Sequence, residues 1–130
     1  MLQSVVAVGA GAAAGAWLRW GLSMWLNPVF PTIPLGTLAA NLGGGLMMGI
    51  AMSILTHFQA LAPEARLLIT TGFLGGLTTF STFSGEATTL LTRGQYGWMA
   101  GLIALHLVGS ITMTVAGIAL ADWLLAGRAS

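Results

Sequence analysis

The chain has 130 residues, of which 56% are hydrophobic, 19 are glycine and only 5% are charged. Soluble chains carry about 25% charged residues, so this composition excludes a soluble enzyme. It also excludes a nucleic-acid binder, which needs clustered Lys and Arg to neutralise phosphates. No cysteine is present, so disulfides, thiolate metal sites and cysteine nucleophiles are excluded as well. The composition indicates a protein that lies within a lipid bilayer.

Four long apolar stretches make up most of the chain. A helix that crosses the hydrocarbon core of a bilayer needs about 20 apolar residues, and each stretch is long enough. Turn-forming segments separate them, so that the predicted helices cover about residues 4–26, 35–56, 67–92 and 97–124. The sequence therefore predicts an all-α integral membrane protein with four transmembrane helices, organised as a single membrane domain over residues 1–130.

The cationic residues divide evenly between the two sides of the predicted bundle. Four spans place both termini on one side, together with Arg66 and Arg128, whereas Arg19 and Arg93 lie toward the opposite side. Orientation normally follows the imbalance of Lys and Arg between short loops, and here there is almost none. Two interpretations stay open: one weakly favoured orientation inserts, or both orientations insert and pair antiparallel.

Small residues at helical spacing predict close packing of the helices. Lipid tails are as apolar as leucine, so membrane helices associate through close backbone approach and interhelical hydrogen bonds. Tight packing and oligomerisation are expected at such positions, although packing within one chain would also explain them. The pairs spaced Gly-x-x-x-Gly are Gly11/Gly15, Gly45/Gly49, Gly72/Gly76 and Gly97/Gly101.

The third predicted span contains an unusual cluster of glycines in residues 72–78, which read Gly-Phe-Leu-Gly-Gly-Leu-Thr. Glycine weakens a helix, so the third helix is predicted to break here in mid-membrane. A break would free carbonyl oxygens, which are hard ligands suited to a cation such as Na⁺. The alternative is an unbroken helix in which the glycines serve only for packing.

Uncharged polar residues and two phenylalanines recur at helical spacing on three of the spans. Hydroxyl and amide groups donate hydrogen bonds without carrying charge, and phenyl edges are weakly positive. A route lined by such groups would favour a small anion that accepts strong hydrogen bonds. Alternatively, Ser and Thr bond to carbonyls of their own helix, and the phenylalanines pack. The candidate residues are Asn41, Phe80, Ser81, Phe83, Ser84, Ser110 and Thr114.

Three ionisable residues remain within or beside the spans. Arg19 is expected to act as a boundary anchor or as a charge in a vestibule. Glu86 is interpreted as a proton site, an ion-pair partner or a carboxylate that reaches the interface, and His106 as a group with a local hydrogen bond. No cluster of His, Asp and Glu has the spacing of metal ligands, and no Ser, His and Asp form a credible catalytic triad, so the chain is predicted not to be an enzyme.

The run Gly-Phe-Leu-Gly-Gly-Leu-Thr-Thr-Phe-Ser-Thr-Phe-Ser at residues 72–84 closely resembles the signature of the Fluc (CrcB-type) fluoride channels. The segment at residues 34–42 is similar to the second helix of that family. The pairs Arg19-Trp20 and Gly109-Ser110 also match, and the resemblance covers essentially the whole chain.

The resemblance implies a passive fluoride exporter of the bacterial inner membrane, built as an antiparallel, dual-topology homodimer with two pores. It implies a structural Na⁺ at the dimer centre, held by backbone carbonyls of Gly75 and Thr78 from both subunits. Arg19, Glu86 and His106 would lie at a vestibule or pore end. The implied pore residues are Asn41, Phe80, Phe83 and Ser110, with Ser81, Ser84 and Thr114 along a hydroxyl track.

Two other classes of function compete with this interpretation. A proton-coupled exporter of the small multidrug type is also a four-helix, dual-topology protein, but carriers of that type have a single essential Glu, which lies in the first helix. The first span here contains no carboxylate, and Glu86 lies in the third span. The other alternative is a subunit that packs within a larger complex and transports nothing itself.

Overall fold

A computed structural model gives an entirely helical protein, in which residues 1–127 are described. Arg128, which enters the charge comparison above, lies outside the described residues. In a bilayer the backbone must satisfy its own polar groups, and helices do so within a single segment. Four helical stretches in the described part of the chain are long and apolar enough to cross a membrane: Leu2–Val29, Leu35–His57, Pro63–Thr92 and Tyr96–Ala126.

The helices follow one another with short connections. Helix α1 (Leu2–Leu26) runs into a 3₁₀ turn (Asn27–Val29), and α2 (Leu35–His57) follows. Helix α3 consists of an α-helical turn (Pro63–Leu67), a π-helical segment (Leu68–Leu74) and a final α-helical turn (Gly75–Leu77). Helices α4 (Phe80–Thr92) and α5 (Tyr96–Ala126) complete the chain.

Two residues with extended backbone separate α3 from α4. Thr78 has φ −79° and ψ 153°, and Thr79 has φ −148° and ψ 118°. The Thr79 side chain caps α4, because its hydroxyl oxygen accepts a hydrogen bond from the Thr82 amide at 3.2 Å. The glycines before this point, Gly72, Gly75 and Gly76, all lie in helical segments. The interruption therefore falls on two threonines at the end of the glycine-rich run.

The glycines of α1 and α3 let these two helices touch backbone to backbone. A Cβ added at Gly11 would lie 2.7 Å from the Phe73 nitrogen, and one added at Gly15 would lie 2.7 Å from the Leu77 nitrogen. Conversely, a Cβ at Gly76 would collide with the backbone of Ala12. The close approach predicted from the glycine spacing is present between these helices, and it holds the end of α3 against α1.

A second backbone contact joins α2 to α5. A Cβ at Gly45 would lie 2.8 Å from the Ser110 oxygen, and one at Gly49 would lie 2.9 Å from the Ile118 nitrogen. The pair Gly97/Gly101 behaves differently, because nothing lies within 4 Å of an added Cβ at either position. Its spacing alone did not distinguish it from the pairs that pack within the chain.

Side-chain hydrogen bonds near both ends of α2 add to these backbone contacts. The Asn27 side-chain oxygen accepts hydrogen bonds from the Gly36 and Thr37 amides at 2.7 and 3.2 Å, so it caps α2 from the 3₁₀ turn that follows α1. Near the other end of α2, the Ser53 hydroxyl donates to the Asp122 carboxylate of α5. These contacts position α2 relative to both of its neighbours.

Candidate functional site

A pocket of about 400 Å³ lies where α2 and α5 meet the junction of α3 and α4. Within residues 1–127, no Asp, Glu, Lys or Arg lines it. Its lining combines backbone, hydroxyl, amide, imidazole and phenyl groups on an otherwise aliphatic wall. The residues predicted from sequence that it brings together are Asn41, Gly75, Thr78, Phe80, Phe83, His106, Ser110 and Thr114.

Asn41 is bound to the backbone at the interruption. Its side-chain nitrogen donates to the Thr79 carbonyl at 3.0 Å, and its side-chain oxygen accepts from the Thr79 amide at 2.7 Å. A primary amide matches a peptide unit in this two-bond arrangement, which thus satisfies both polar groups of an extended residue inside the protein. Asn41 therefore stabilises the junction between α3 and α4. Sequence reasoning missed the role of Thr79, which its position just before a helix could have indicated.

The interruption leaves carbonyl oxygens at the end of α3 without their usual helical donors. The Thr79 amide, which would normally bond to the Gly75 carbonyl, donates to Asn41 instead. The Thr82 amide, which would normally bond to the Thr78 carbonyl, donates to the Thr79 hydroxyl. The Gly76 carbonyl accepts from Arg19 Nε at 3.1 Å.

The Arg19 guanidinium lies at the C-terminal end of α3. A cation there interacts favourably with the helix dipole and satisfies a carbonyl that the interruption has freed. Arg19 is half-buried and does not line the pocket. The bond to Gly76 gives this side chain a definite position between α1 and α3, which the sequence alone did not indicate.

His106 is one of the residues that line the pocket. It is only 3% exposed, and its Nδ1 is 2.9 Å from the side-chain nitrogen of Asn41. Its ring stacks on Phe83, with ring centroids 4.7 Å apart and an interplanar angle of 30°. His106 Nε2 is buried and has no hydrogen-bond partner among the described residues.

The two phenylalanines have different environments. Phe83 is 6% exposed, whereas Phe80 is 72% exposed on the surface of the chain. Their rings meet edge to face, with centroids 5.5 Å apart and an interplanar angle of 65°. In this arrangement the weakly positive edge of one ring meets the negative face of the other. Both rings line the pocket.

The hydroxyl groups of α5 differ in their availability. The Thr114 hydroxyl donates to the Gly45 and Ser110 carbonyls at 3.0 and 2.9 Å, so its proton is shared between two backbone acceptors. Ser110 lines the pocket, and no partner for its hydroxyl is found within the described chain. Of the two, Ser110 is the hydroxyl available to a ligand.

Three other predicted residues lie outside the pocket lining. Ser81 and Ser84 are exposed on α4, and the Ser81 hydroxyl is 3.4 Å from the Thr79 hydroxyl. Glu86 accepts a 2.6 Å hydrogen bond from the Thr37 hydroxyl through Oε1, while its buried Oε2 is unpaired among residues 1–127. Thr37 is fully buried, so Glu86 is anchored to α2 inside the helix packing.

The fold and the pocket define a class of protein: a small α-helical membrane protein with an uncharged, donor-lined pocket between its spans. The profile of the family described as "CrcB-like protein, Camphor Resistance (CrcB)" matches residues 6–118. The chain belongs to this family.

Relatives match over nearly the full length of the chain. A protein of Nitrosospira multiformis named "Fluoride-specific ion channel FluC" is 60% identical over 123 residues, which cover 95% of this chain and 96% of the relative. Proteins with the same name from Pseudomonas putida and Aromatoleum aromaticum are 56% and 57% identical, over 92% and 91% of this chain and 94% and 90% of their own lengths. The family is one of ion channels and not of enzymes.

Proposed function

We propose that the chain forms a fluoride-selective ion channel that lets F⁻ leave the cell passively. The names of its relatives support this proposal, and the resemblance noted in the sequence agrees with them. The observation that carries it in the structure is the pocket itself. Phe80, Phe83, His106 and Ser110 line it, and no charged side chain of the described residues does.

The chemistry of this lining suits fluoride. A small anion holds its water tightly, so a selective pathway must replace that water with well-directed donors in a narrow space. Hydroxyl and N–H groups supply strong hydrogen bonds, and phenyl edges supply weak positive potential without binding the ion too firmly to leave. Larger halides form weaker hydrogen bonds and fit such a passage less well.

The direction of transport follows from the membrane potential. Fluoride enters cells as neutral HF under acidic conditions and dissociates at cytoplasmic pH. An inside-negative potential contributes about 2.3 kcal/mol per charge for each 100 mV, which drives the anion outward through a selective pathway. The function is therefore to lower cytoplasmic fluoride, and the proposed location is the bacterial inner membrane, which the chain crosses four times.

We further propose that two copies assemble as an antiparallel, dual-topology homodimer with two pores. The even division of arginines between the two sides supports insertion in both orientations. The third span, with Thr78 and Thr79 at its interruption, would place this junction in mid-membrane, where only protein, water or an ion can satisfy freed backbone groups.

The freed carbonyls of Gly75 and Thr78 fit a structural Na⁺ at the dimer centre. Both residues line the pocket, and both carbonyls have lost their helical donors to Asn41 and Thr79. Carbonyl oxygens at a helix interruption are suitable ligands for Na⁺, which would tie together two α3 ends. One chain offers two such oxygens, so a second copy is needed to complete the shell.

Fluoride efflux from proteoliposomes tests the proposed pathway. Phe80→Ile removes the exposed ring from the pocket, and Phe58→Ile is the matched control because Phe58 lies at the end of α2, outside the pocket lining. A fluoride electrode should record fast efflux for the native chain and the control and greatly reduced efflux for Phe80→Ile. Equal efflux from both variants would show that the pocket is not part of the fluoride pathway.

Labelling of a single cysteine tests the orientation. The chain contains no cysteine, so Gln95→Cys, in the exposed turn before α5, introduces one unique thiol. In cells, a membrane-impermeant maleimide should label about half of the protein from outside, and the rest only after permeabilisation. Labelling of all or none from one side would exclude dual topology.

The proton-coupled exporter of the small multidrug type is not favoured. The relatives are named as ion channels, and α1 contains no carboxylate. Glu86 is bound to Thr37 and does not line the pocket. Transport that depends on a proton gradient and is abolished by Glu86→Gln would restore that alternative. An inactive chain that copurifies with a partner would favour the packing-subunit alternative.

A further inference from the structure

The hydrogen bonds of Asn41 fix which of its side-chain atoms is nitrogen and which is oxygen. The Thr79 amide can only donate and the Thr79 carbonyl can only accept, and they contact opposite ends of the Asn41 amide at 2.7 and 3.0 Å. The alternative orientation of the amide would place donor against donor and acceptor against acceptor. The atom that faces His106 is therefore the NH₂ group.

This orientation in turn determines the tautomer of His106. The NH₂ group has two hydrogens, of which one goes to the Thr79 carbonyl and the other points to His106 Nδ1 at 2.9 Å. Nδ1 must therefore accept, so in the neutral ring the proton lies on Nε2. The same bonds use both hydrogens of Asn41, which leaves Asn41 no donor for a ligand.

The resulting N–H group of His106 has no acceptor within the described part of the chain. Nε2 is buried, and the residue as a whole is 3% exposed. A buried donor without an acceptor is unfavourable, so such a group calls for a partner outside the chain, such as a water molecule or an ion. The His106 ring is one of the groups that line the pocket, and it stacks on Phe83. An anion at this part of the wall would therefore meet the imidazole beside the weakly positive edge of a phenyl ring.

We infer that His106 binds the permeating anion through Nε2–H, and that Asn41 acts as a positioning residue which holds His106 in this tautomer. The inference rests on the proposed function and refines the chemistry of the same pocket. It assigns to His106 the donor that a simple interpretation of the pocket would assign to Asn41. The Ser110 hydroxyl, which has no partner within the described chain, lies one helical turn after His106 on α5. Together with the N–H donor and the neighbouring phenyl ring, it suits a small anion that accepts strong hydrogen bonds.

Glu86 is the competing acceptor for this proton. Its Oε2 is also buried and unpaired within residues 1–127. Its Oε1 is bound to Thr37, which lies one helical turn before Asn41 on the same face of α2. A water molecule that joined Glu86 to His106 would satisfy both groups without an anion. The experiment must therefore distinguish an anion from this carboxylate.

Nitrogen NMR of the imidazole ring tests the inference directly. The chain has two histidines, so His57→Gln in the exposed end of α2 leaves His106 as the single imidazole. The His57→Gln protein, labelled with ¹⁵N in the histidine ring, is reconstituted into bilayers and measured with sodium fluoride or with an equal concentration of sodium chloride. The chemical shifts of protonated and unprotonated ring nitrogens are well separated, so the tautomer is read directly.

We expect a proton on Nε2, a shift of the Nε2 signal with fluoride, and no comparable shift with chloride. Asn41→Asp replaces the NH₂ donor with an acceptor, which should move the proton to Nδ1 and abolish the fluoride-dependent shift. His106→Gln retains a donor and an acceptor, so it should keep part of the fluoride efflux, whereas His106→Leu should lose at least about tenfold.

Other results would overturn the inference. A proton on Nδ1 in the His57→Gln protein would contradict the positioning role of Asn41. If the Nε2 signal does not change with fluoride but shifts in the Glu86→Gln variant, the Nε2–H group donates to the Glu86 carboxylate and not to the anion. The proposed function fails separately: His57→Gln vesicles without fluoride efflux would refute the channel, whatever the spectra show about the tautomer.

Discussion

The contact between α1 and the end of α3 offers the most quantitative prediction about packing. In Gly15→Ala, the new Cβ would lie 2.7 Å from the Leu77 nitrogen, and the Phe73 oxygen lies closer still. Favourable contacts begin at about 3.5 Å, so relieving the Leu77 contact alone requires a local separation of about 0.8 Å, and the closer Phe73 oxygen requires more. Both neighbours are backbone atoms, which cannot rotate away as a side chain can. Overpacking of this kind costs about 1–3 kcal/mol.

Gly9→Ala is the matched control for this substitution. Gly9 lies on the same helix, and nothing lies within 4 Å of an added Cβ there. Both variants gain up to about 1 kcal/mol of helix propensity, so the difference between them isolates the packing cost. Leu77 immediately precedes Thr78, so the displacement should also disturb the pocket and reduce fluoride efflux in Gly15→Ala alone.

Unfolding in mixed detergent micelles, followed by the fluorescence of the five tryptophans, measures this difference. We expect Gly15→Ala to unfold at a lower fraction of denaturing detergent than Gly9→Ala, by the equivalent of about 1–3 kcal/mol. Equal unfolding midpoints, with equal fluoride efflux, would refute the conclusion that this backbone contact positions the end of α3.

Two further substitutions test the polar contacts of α2. Thr37→Val removes the donor to Glu86 and leaves both Glu86 oxygens without protein partners, so it should lower the free energy of unfolding by about 1–3 kcal/mol. Thr89→Val, which removes an exposed hydroxyl on α4, is the control, and equal losses in the two variants would contradict the role of the buried bond. Asn27→Ala removes the cap on α2, so it should lower the free energy of unfolding by about 1 kcal/mol and the thermal midpoint with it. An unchanged thermal midpoint would contradict the role of the cap.

Much of the fold could be predicted from the sequence because the bilayer imposes simple rules. Span length and the scarcity of charge indicate four helices, since a helix must be about 20 apolar residues long to cross. The spacing of Gly11 and Gly15 correctly indicated close packing. The identical spacing of Gly97 and Gly101 faces open space in this chain, because packing depends on what a neighbouring helix presents and not on the glycines alone.

The residues that line the pocket were more predictable than the bonds they make. Phe80, Phe83, Asn41 and Ser110 are recognisable by type, spacing and family resemblance. The pairing of Asn41 with Thr79 joins positions 38 residues apart, and that of Asn41 with His106 joins positions 65 apart. Such contacts follow from the tertiary arrangement of three helices, which no local pattern encodes.

The extended backbone at Thr78 and Thr79 illustrates the same limit at short range. Glycine content marked the region as weak, yet the glycines are helical and the two threonines are extended. Gly72 and Gly76 are needed for contact with α1, and Asn41 satisfies both backbone polar groups of the extended Thr79. A long-range hydrogen bond therefore contributes to the position of the interruption, in addition to local helix propensity.

Parallel measurement of fluoride and chloride efflux from the same vesicles tests the central claim most directly. The purified chain is reconstituted with equal gradients of the two potassium salts, and valinomycin is added to remove the opposing potential. We expect rapid fluoride efflux and chloride efflux no faster than from protein-free vesicles. Chloride efflux at a rate comparable to that of fluoride would contradict a fluoride-selective channel.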